Sequence, residues 1–504
     1  MKKLIDKLFN TRVSTSYMFI LFGVSALMLA GYFSYAWFTV QGVQQYSVVT
    51  GNLYGTVAIG TNSITIAGQG VLTYTPTTDS DTITLTVTNT NDRTVKNSIY
   101  YYNLSDSNIT IGYTSDSPTI PSTTGVSVNQ NKTLTYKIKI NGSKGKAVKI
   151  GSSIGLNNSN LTLPSGTTAF SLLSEPSASE TLVAKANPET LDYATATTDQ
   201  KNQMWAFTHE ATKQLKATTD YRYIGANPNN YVKFNDELWR IIGVFDVDDG
   251  TGKIEKRMKI IRNEIIGNYS WDNKNTSTGA EDKYGYGKNN WPDARLNYLL
   301  NPGHESETYG GSLYWNRKNG TCYKGQSNGT TSCYFISTGL NDTAKSMIGD
   351  AKWYLGGTSD WTTSSNGLTS HFYSYERGTA VYSGRSTNWT GKVGLMYPSD
   401  YGYATSGGSS MNRASCIGKE LCNWRYSSYS DCYNNDWLYN SSYYQWTMSP
   451  RADDYSTVFY VNRDGYVSYT VASDNYAASP VVHLKATIKI TGGTGSSTDP
   501  FILG

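Results

Sequence analysis

The chain has 504 residues, of which 38% are apolar, 13% are aromatic and 16% are charged, and its formal net charge is +4. This length suggests two or three domains, and the weak charge without a basic stripe excludes nucleic acid as the predicted partner. The 41 Tyr residues are the unusual feature of the composition. Tyr is common on recognition surfaces because its ring is rigid and amphipathic, although many tyrosines also pack β-sheets.

An uncharged, mostly apolar run spans residues 17–38. About 20 apolar residues are enough to cross a bilayer as a helix. Lys and Arg residues precede the run and none follows it until Arg93, so the positive-inside rule predicts a cytoplasmic N-terminus and an exported remainder. A cleaved signal peptide, with a cleavage site at residues 34–36, stays open as the alternative. Residues 1–40 are therefore predicted to be a cytoplasmic stub and a single-pass membrane anchor.

Residues 41–165 show the period-2 alternation of half-buried antiparallel strands. Apolar residues alternate with Thr at positions 83, 85 and 87, and with Thr and Lys at positions 134, 136, 138 and 140. Asn141-Gly142 predicts a hairpin turn toward Val148 and Ile150. Short strands at such spacing predict a β-sandwich that acts as a stalk. Residues 166–218 lose the alternation and are rich in Ser, Thr, Ala, Glu and Lys, which predicts a linker with short ordered pieces.

Residues 219–504 are predicted to form a separate head domain. Leu238–Val244 reads as a buried core strand, and residues 248–252 as a turn. Calcium binding by the acidic residues at positions 246–250 is the less favoured alternative, because the EF-hand spacing is absent. Two helices are predicted at residues 292–300 and 343–355, the second capped by Asn341 or Asp342. Further strands are predicted near residues 445–448, 456–461, 465–471 and 479–485, followed by a closing hairpin at residues 488–503.

The five Cys residues all lie in the C-terminal half, with no CxxC motif and no zinc-binding spacing. In an exported chain, local disulfides are the natural interpretation. Short spacing predicts the pairs Cys322–Cys333 and Cys416–Cys432 and leaves Cys422 free. Reduced, buried thiols are the alternative.

Residues 221–504 resemble an uncharacterised bacterial surface domain. The resemblance lies in residues 231–245, 353–357, 393–404 and 446–484, including Trp446, Ser449-Pro450 and Gly465. Where that family has Val-Arg-Pro, this chain has Ala478-Ser479-Pro480. The family is distantly similar to C-type-lectin-like folds of the sulfatase-modifying type. For residues 221–504, the resemblance therefore implies an α+β C-type-lectin-like domain. The predicted fold is thus an N-terminal transmembrane helix, then an all-β sandwich, then this α+β domain.

Catalytic signatures are absent from the sequence: no HExxH, P-loop or dinucleotide fingerprint occurs. Residues 151–155 match GxSxG by letter, but no helix is predicted after them, so a nucleophile elbow is not expected. The four His residues, at positions 209, 304, 371 and 483, are scattered, and His483 is predicted to pack in a core strand. The cysteines match no recognisable equivalent of the sulfatase-modifying activity, and no cofactor or metal is predicted.

C-type-lectin-like domains commonly bind ligands with their C-terminal strands and the loops before them, so the resemblance implies a recognition surface in residues 437–476. The sequence predicts a cell-surface adhesion or recognition protein that binds a glycan or protein ligand without catalysis; a surface enzyme and a purely structural envelope protein are the alternatives. The exposed turn residues and nearby tyrosines are predicted to line one shared ligand surface: Tyr439, Tyr443, Tyr444, Arg451, Asp453, Asp454, Tyr455, Asn462, Arg463, Asp464, Ser473 and Asp474.

Overall fold

The computed structural model describes residues 70–504 apart from positions 79, 90–92, 105, 107–108, 143, 174–175, 212–215 and 277, and it also gives the backbone of three short strands before residue 70. The chain divides into two compact units, at residues 1–175 and 176–504. The described residues are mostly β-sheet, which confirms the prediction of a β-rich chain. Within that described part, none of the helices combines the length and the apolar character required to cross a bilayer. The anchor predicted at residues 17–38 lies outside the described residues.

The first unit is built from short strands, most of which pair antiparallel. They are β1 (Tyr46–Ser47), β2 (Ile59–Gly60), β3 (Ser63–Ala67), β4 (Gly70–Tyr74), β5 (Ser80–Thr88), β6 (Val95–Tyr102), β7 (Thr110–Tyr113), β8 (Val126–Val128), β9 (Thr133–Asn141), β10 (Val148–Leu156) and β11 (Thr167–Ala169). One sheet has the order β1-β4-β10-β6-β11, with β8 paired to β6, and the other has the order β2-β3-β5-β9-β7. In the second sheet, β3 and β5 run parallel.

The two sheets pack face to face around one core. Ile83, Leu85 and Val87 on β5 are fully buried, while the Thr residues between them are partly exposed, so the predicted alternation is confirmed there. The same cluster contains Ile99 and Ile150 from the opposite sheet. Because both sheets bury their apolar faces against each other, this unit is a β-sandwich.

The hairpin predicted at Asn141-Gly142 is wrong. Strand β9 pairs with β5 and β7, whereas β10 pairs with β4 and β6 in the other sheet. The chain therefore crosses from one layer to the other here, and Val148 and Ile150 enter the core from the opposite side. The GxSxG-like residues 151–155 lie within β10, where the Ser152 hydroxyl accepts a hydrogen bond from the Asn97 amide at 2.7 Å.

The second unit contains more strands and several short helices. The strands are β12 (Trp205–His209), β13 (Thr218–Arg222), β14 (Tyr231–Phe234), β15 (Glu237–Asp248), β16 (Ile254–Arg262), β17 (Asn268–Tyr269), β18 (Asn319–Tyr323), β19 (Thr330–Tyr334), β20 (Ala351–Tyr354), β21 (Asn388–Gly391), β22 (Val393–Gly394), β23 (Gln445–Pro450), β24 (Thr457–Val461), β25 (Val467–Val471), β26 (Tyr476–Ala477), β27 (Val481–His483), β28 (Ile490–Gly492) and β29 (Phe501–Leu503). The helices are α1 (Ala178–Val183), α2 (Thr198–Lys201), α3 (Arg295–Leu300), α4 (Asp342–Met347), α5 (Thr369–Glu376), α6 (Pro398–Ala404), α7 (Arg413–Ile417) and α8 (Ser430–Asn434).

A large mixed sheet carries the core of this unit. Its order is β22-β27-β16-β15-β14-β29-β28, and β13 joins β15 with β12 beyond it. The predicted core strand at Leu238–Val244 lies within β15, and the predicted C-terminal hairpin is β28–β29. A smaller sheet has the order β17-β26-β23-β24-β25. The predicted turn at residues 248–252 joins β15 to β16, and the Asp248 carboxylate accepts hydrogen bonds from the backbone of Gly250 and Gly252.

The helix predicted at residues 343–355 is only half right. Helix α4 is capped as predicted, because the Asn341 side chain accepts a hydrogen bond from the Ala344 amide at 2.7 Å. It ends at Met347, and residues 351–354 form strand β20, which pairs with β21. Ala351, Trp353 and Leu355 are buried at every second position, so the apolar pattern also fits a strand. Strand pairing buries the large Trp353 side chain, and this favours the strand.

The helix predicted at residues 292–300 is present in two pieces. A 3₁₀ turn occupies Trp291–Asp293, and α3 follows after Ala294, whose backbone is extended. Leu296, Leu299 and Leu300 are buried, so the apolar face of α3 packs against the core.

The segment predicted as a linker, residues 166–218, differs from the structure. Strand β11 belongs to the first unit, whereas α1, α2 and β12 belong to the second. Helix α1 has a reciprocal capping box between Ser177 and Glu180, and Ala178 and Leu182 lie in the main core of the second unit. These elements are too short to produce a periodic apolar pattern in the sequence.

Both predicted disulfides are present. Cys322–Cys333 joins β18 to β19 with Cα atoms 5.8 Å apart, and Cys416–Cys432 joins α7 to α8 with Cα atoms 5.4 Å apart. Cys422 is free and half-buried, as predicted for the fifth cysteine.

Candidate functional site

The predicted ligand residues lie at the two ends of the β24–β25 hairpin. Asn462, Arg463 and Asp464 form the turn next to the pair Val461–Val467, whereas the other charged residues flank the open end at the pair Thr457–Val471. The hairpin is about 13 Å long at the usual rise of a strand. The residues predicted to share one surface are therefore divided into two groups.

The turn is held by a buried asparagine. Asn462 is only 4% exposed, its side-chain oxygen accepts a hydrogen bond from the Asp464 amide at 2.9 Å, and its backbone amide donates to Tyr466 at 2.7 Å. The expectation that Asn462 is exposed is wrong, because its amide group builds the turn instead. Arg463 and Asp464 are exposed at the tip.

Tyrosine rings from distant parts of the sequence surround this turn. The Tyr439 hydroxyl donates to the Arg463 carbonyl at 2.7 Å, and the Arg463 guanidinium lies 5.1 Å from the ring centre of Tyr444. Tyr444 stacks on Tyr476 at 5.0 Å, and Tyr433 lies 5.1 Å from Tyr439. All four rings are half-buried, as is Tyr443, the neighbour of Tyr444 in the chain. We call Tyr433, Tyr439, Tyr444, Tyr476, Arg463 and Asp464 the turn surface.

The second group lies at the open end of the hairpin and is largely engaged in internal contacts. Arg451 forms a bidentate pair with Asp453, at 2.9 and 2.6 Å, and its guanidinium lies 4.8 Å from the ring centre of Trp361 and 4.1 Å from that of Tyr469. Asp454 caps the turn before β24 through the Ser456 amide.

Three more residues of the predicted set belong to this end. Tyr455 packs near Tyr382, with ring centres 6.2 Å apart. Asp474 accepts a hydrogen bond from the Thr470 hydroxyl. Ser473 is 1% exposed, and its carbonyl accepts from the Ser270 hydroxyl, so the expectation that Ser473 is exposed is wrong.

The structure also contains a polar cleft that was not predicted from the sequence. The cleft has a volume of about 640 Å³, and strands β12, β13 and β15 together with helix α5 supply most of its lining. We call it the His209 cleft. Its lining includes Thr208, His209, Asp246, Ser370, Tyr373 and Arg377.

His209 is oriented by two contacts at the base of this cleft. Its Nε2 atom is 3.1 Å from the Asp220 carboxylate, and its ring stacks on Tyr373 with centres 3.7 Å apart. Asp220 also binds Arg222 at 3.0 Å. Burial alone would raise the pKa of Asp220, but the hydrogen bond from His209 and the charge of Arg222 outweigh it and hold that pKa below the usual range.

A buried ion network continues beneath the cleft. Asp400 accepts a hydrogen bond from Arg222 through one oxygen at 2.9 Å and contacts Lys259 through the other. Burial opposes ionisation of Asp400, but the charges of Lys259 and Arg222 keep its pKa below normal. Burial lowers the pKa of Lys259, with Asp400 opposing this shift.

Glu376 and Arg377 complete the network at the C-terminal end of α5. Glu376 accepts hydrogen bonds from the amide and hydroxyl of Ser399, and burial raises its pKa to about 7 although Arg377 opposes the shift. The Arg377 guanidinium lies 3.4 Å from the ring centre of Tyr373. This network therefore fixes the position of Arg377 on the wall of the cleft.

The cleft combines perturbed carboxyl groups with a histidine, which is the pattern expected of an enzyme. Asp220 and Asp400, however, are each held by two cationic or imidazole partners, so both act as structural counter-ions. Among the described residues, no cluster of three or more His, Cys, Asp or Glu is arranged to hold a metal ion. The polar side chains of the lining are able to bind a polar ligand.

Two residues in the sequence could have indicated the ion network beneath this cleft. Lys259 interrupts the apolar run of β16, and Arg222 ends the strand before the head-domain core. A charged residue in a buried strand requires a buried partner, so both positions indicate an ion network. Asp220 and His209 carried no such signal, because they fall in or next to the segment predicted as a linker.

Comparison with known proteins adds no relative: no family model matches the chain, and no match is found among curated proteins or solved structures.

Proposed function

We propose that this chain is a membrane-anchored cell-surface recognition protein whose second unit binds a glycan or protein ligand, without catalysis, on the turn surface. One observation carries the proposal: tyrosines 433, 439, 444 and 476 converge around the exposed Arg463. Tyr and Arg dominate the residues that contribute most to binding free energy at protein interfaces.

Hydrogen bonds within the protein hold the turn surface in place. Asn462 fixes the turn from inside, and the Tyr401 hydroxyl donates to the Gly465 carbonyl at 2.8 Å. A preorganised surface loses little conformational entropy on binding, which supports a recognition role.

The two disulfides support an extracellular location, because such bonds persist in oxidising compartments. The apolar run at residues 17–38 supports a membrane anchor. A large twisted sheet with short helices and long loops in the second unit is compatible with the proposed C-type-lectin-like fold. The alternative of a cysteine-dependent surface enzyme has less support, since burial raises the pKa of Cys422, the free thiol.

Binding of the purified full chain to an array of immobilised glycans and to immobilised collagen, fibronectin and mucin tests this function. Tyr444→Ala and Arg463→Ala should each weaken binding by roughly 1–2 kcal/mol, or about tenfold. Tyr334→Ala and Lys233→Ala are the matched controls, since both residues are exposed and lie outside the turn surface. Equal binding by the wild type and both turn-surface variants would reject the site.

Protease treatment of intact cells tests the location separately. The proposed topology places the second unit outside the membrane, so external protease should remove it. Complete protection of the second unit in intact cells, with cleavage only after lysis, would contradict the topology.

A further inference from the structure

We propose that the His209 cleft is a second ligand site, which binds an acidic carbohydrate through a bidentate contact between the ligand carboxylate and Arg377. This site is separate from the turn surface and does not depend on the function proposed there. Three features of the cleft support this assignment: the geometry of Arg377, the polar groups of the rim and the balance of charge.

Arg377 is fixed in place but retains free donors. Its guanidinium lies 3.4 Å from the ring centre of Tyr373 and 5.3 Å from that of Tyr354. Its Nη1 atom donates to the Tyr373 carbonyl at 3.2 Å and contacts Glu376 at 3.4 Å. Across the described part of the chain, Nε and Nη2 of Arg377 have no hydrogen-bond partner, and the side chain is 14% exposed on the cleft wall.

An arginine held in this way is suited to a planar anion. Two neighbouring N–H groups of a guanidinium match the two oxygens of a carboxylate, and aromatic stacking fixes the plane of the fork before binding. A phosphate is also compatible with Arg, but the hydroxyl and carboxylate side chains of the rim are better suited to a sugar acid.

The rim offers groups that match the hydroxyls of a sugar ring. Thr208 and Ser370 are exposed on the lining, and Asp246 and Asp248 supply carboxylate acceptors from β15. Carboxylate and hydroxyl side chains are acceptors and donors for vicinal hydroxyl groups. At about 640 Å³, the cleft has the volume of a small-molecule site and is large enough for a mono- or disaccharide.

The acidic residues of the cleft do not exclude an anion, because most of them are neutralised. Asp246 pairs with Lys256 at 2.9 Å, and Asp248 lies 3.6 Å from Lys352. Asp220 is bound by both Arg222 and His209.

Arg377 itself is only partly neutralised. Two carboxyl groups act on its charge, Asp220 and Glu376. Asp220 is already bound by Arg222 and His209. Glu376 is buried with a pKa raised to about 7, so near neutral pH a large fraction of it is protonated and carries no charge. A positive charge at Arg377 is therefore available to a ligand.

Isothermal titration calorimetry of the full chain tests this site with four probes. They are D-glucuronate, N-acetylneuraminate, the neutral sugar D-glucose, and N-acetylglycine, which has a carboxylate but no sugar hydroxyls. At least one of the two sugar acids should bind ten or more times more tightly than either D-glucose or N-acetylglycine. Absence of measurable binding by both sugar acids at millimolar concentration overturns the proposal, as does equal affinity for D-glucose or for N-acetylglycine.

Two variants locate the binding. Arg377→Lys keeps the charge but removes the planar fork, and it should weaken sugar-acid binding at least tenfold. Thr208→Trp fills the exposed rim without touching the ion network, so it should abolish binding while the melting temperature stays that of the wild type. Tyr444→Ala, on the turn surface, should leave sugar-acid binding unchanged. Wild-type affinity in both cleft variants, or loss of affinity in Tyr444→Ala, overturns the assignment.

Discussion

Arg222 donates a hydrogen bond to Asp400 over 2.9 Å, although 178 residues separate them in the chain. Arg222 ends strand β13, and Asp400 lies in the first turn of α6. Both side chains are about 1% exposed, so this buried pair joins the large sheet to a helix inside the second unit and is shielded from solvent. Breaking a buried pair of this kind leaves an uncompensated charge in the interior.

Arg222→Met should therefore destabilise the second unit by roughly 3–5 kcal/mol, because Asp220 and Asp400 both lose a partner. Denaturant unfolding followed by tryptophan fluorescence measures this, since every Trp except Trp37 lies in the second unit. Lys253→Ala is the matched control, because Lys253 pairs with Glu255 at the exposed surface and its loss should leave the unfolding midpoint unchanged. A wild-type midpoint for Arg222→Met would show that the network contributes nothing to stability.

Glu376 predicts a pH dependence of stability in the second unit. Its folded pKa of about 7 lies above the ordinary value of 4.5, so the folded state binds the proton more tightly than the unfolded state. This contribution is fully present below pH 4.5 and is lost as the pH rises toward 7, for a total of roughly 3 kcal/mol. In Glu376→Gln, the fall in stability between pH 5 and pH 8 should be smaller than in the wild type.

The change in stability between pH 5 and pH 8 separates the contribution of Glu376 from the contributions of the other carboxyl groups. Asp220 and Asp400 have lowered pKa values, so they lose their contribution only as the pH falls into the acid range. Glu264→Gln is the control, because Glu264 is exposed and its removal should leave the slope as in the wild type. Parallel pH profiles for the wild type and Glu376→Gln would contradict the assigned pKa.

The sequence was sufficient to predict the sandwich strands, because one-sided burial produces a strict period of two. It was not sufficient at residues 348–355, where Ala351, Trp353 and Leu355 fit both a helical and a strand pattern. The deciding interaction is the pairing of β20 with β21, which lies more than 30 residues away and leaves no local signal. The crossing between β9 and β10 was missed for the same reason, since Asn-Gly specifies a turn but not the sheet that follows.

At the candidate site, too, the sequence predicted local features but not long-range contacts. Period and turn chemistry placed Arg463 and Asp464 at an exposed tip, which the structure confirms. They did not reveal that Asn462 faces inward, because an Asn in a turn can serve the turn itself. The His209 cleft joins strands, a helix and loops separated by more than 150 residues, so its geometry follows from tertiary packing alone.

The two disulfides predict how many free thiols the protein has and how much stability is lost when either bond is removed. Mass spectrometry of the non-reduced protein should detect one free thiol, at Cys422. Replacing both cysteines of either pair by Ser should destabilise the second unit by about 2–4 kcal/mol, because each bond closes a loop with a sequence separation of 11 or 16 residues. Replacing Cys422 alone by Ser is the control and should change little. Five free thiols in the non-reduced protein would reject both bonds.

Gly465 connects the stability of the turn to binding at the turn surface. It has a φ of +89°, and a Cβ atom added there would lie 2.3 Å from the Tyr433 ring. Gly252 has a similar φ of +94° but has open space around its Cβ position, so Gly252→Ala measures the backbone strain alone. That strain should cost roughly 1–2 kcal/mol. Gly465→Ala should cost about 1–3 kcal/mol more, because the Tyr433 ring has to move.

The displaced ring should also weaken ligand binding to the turn surface, whereas Gly252→Ala should bind like the wild type. Equal unfolding midpoints and equal binding for the two variants would show that Tyr433 does not pack on the turn as described.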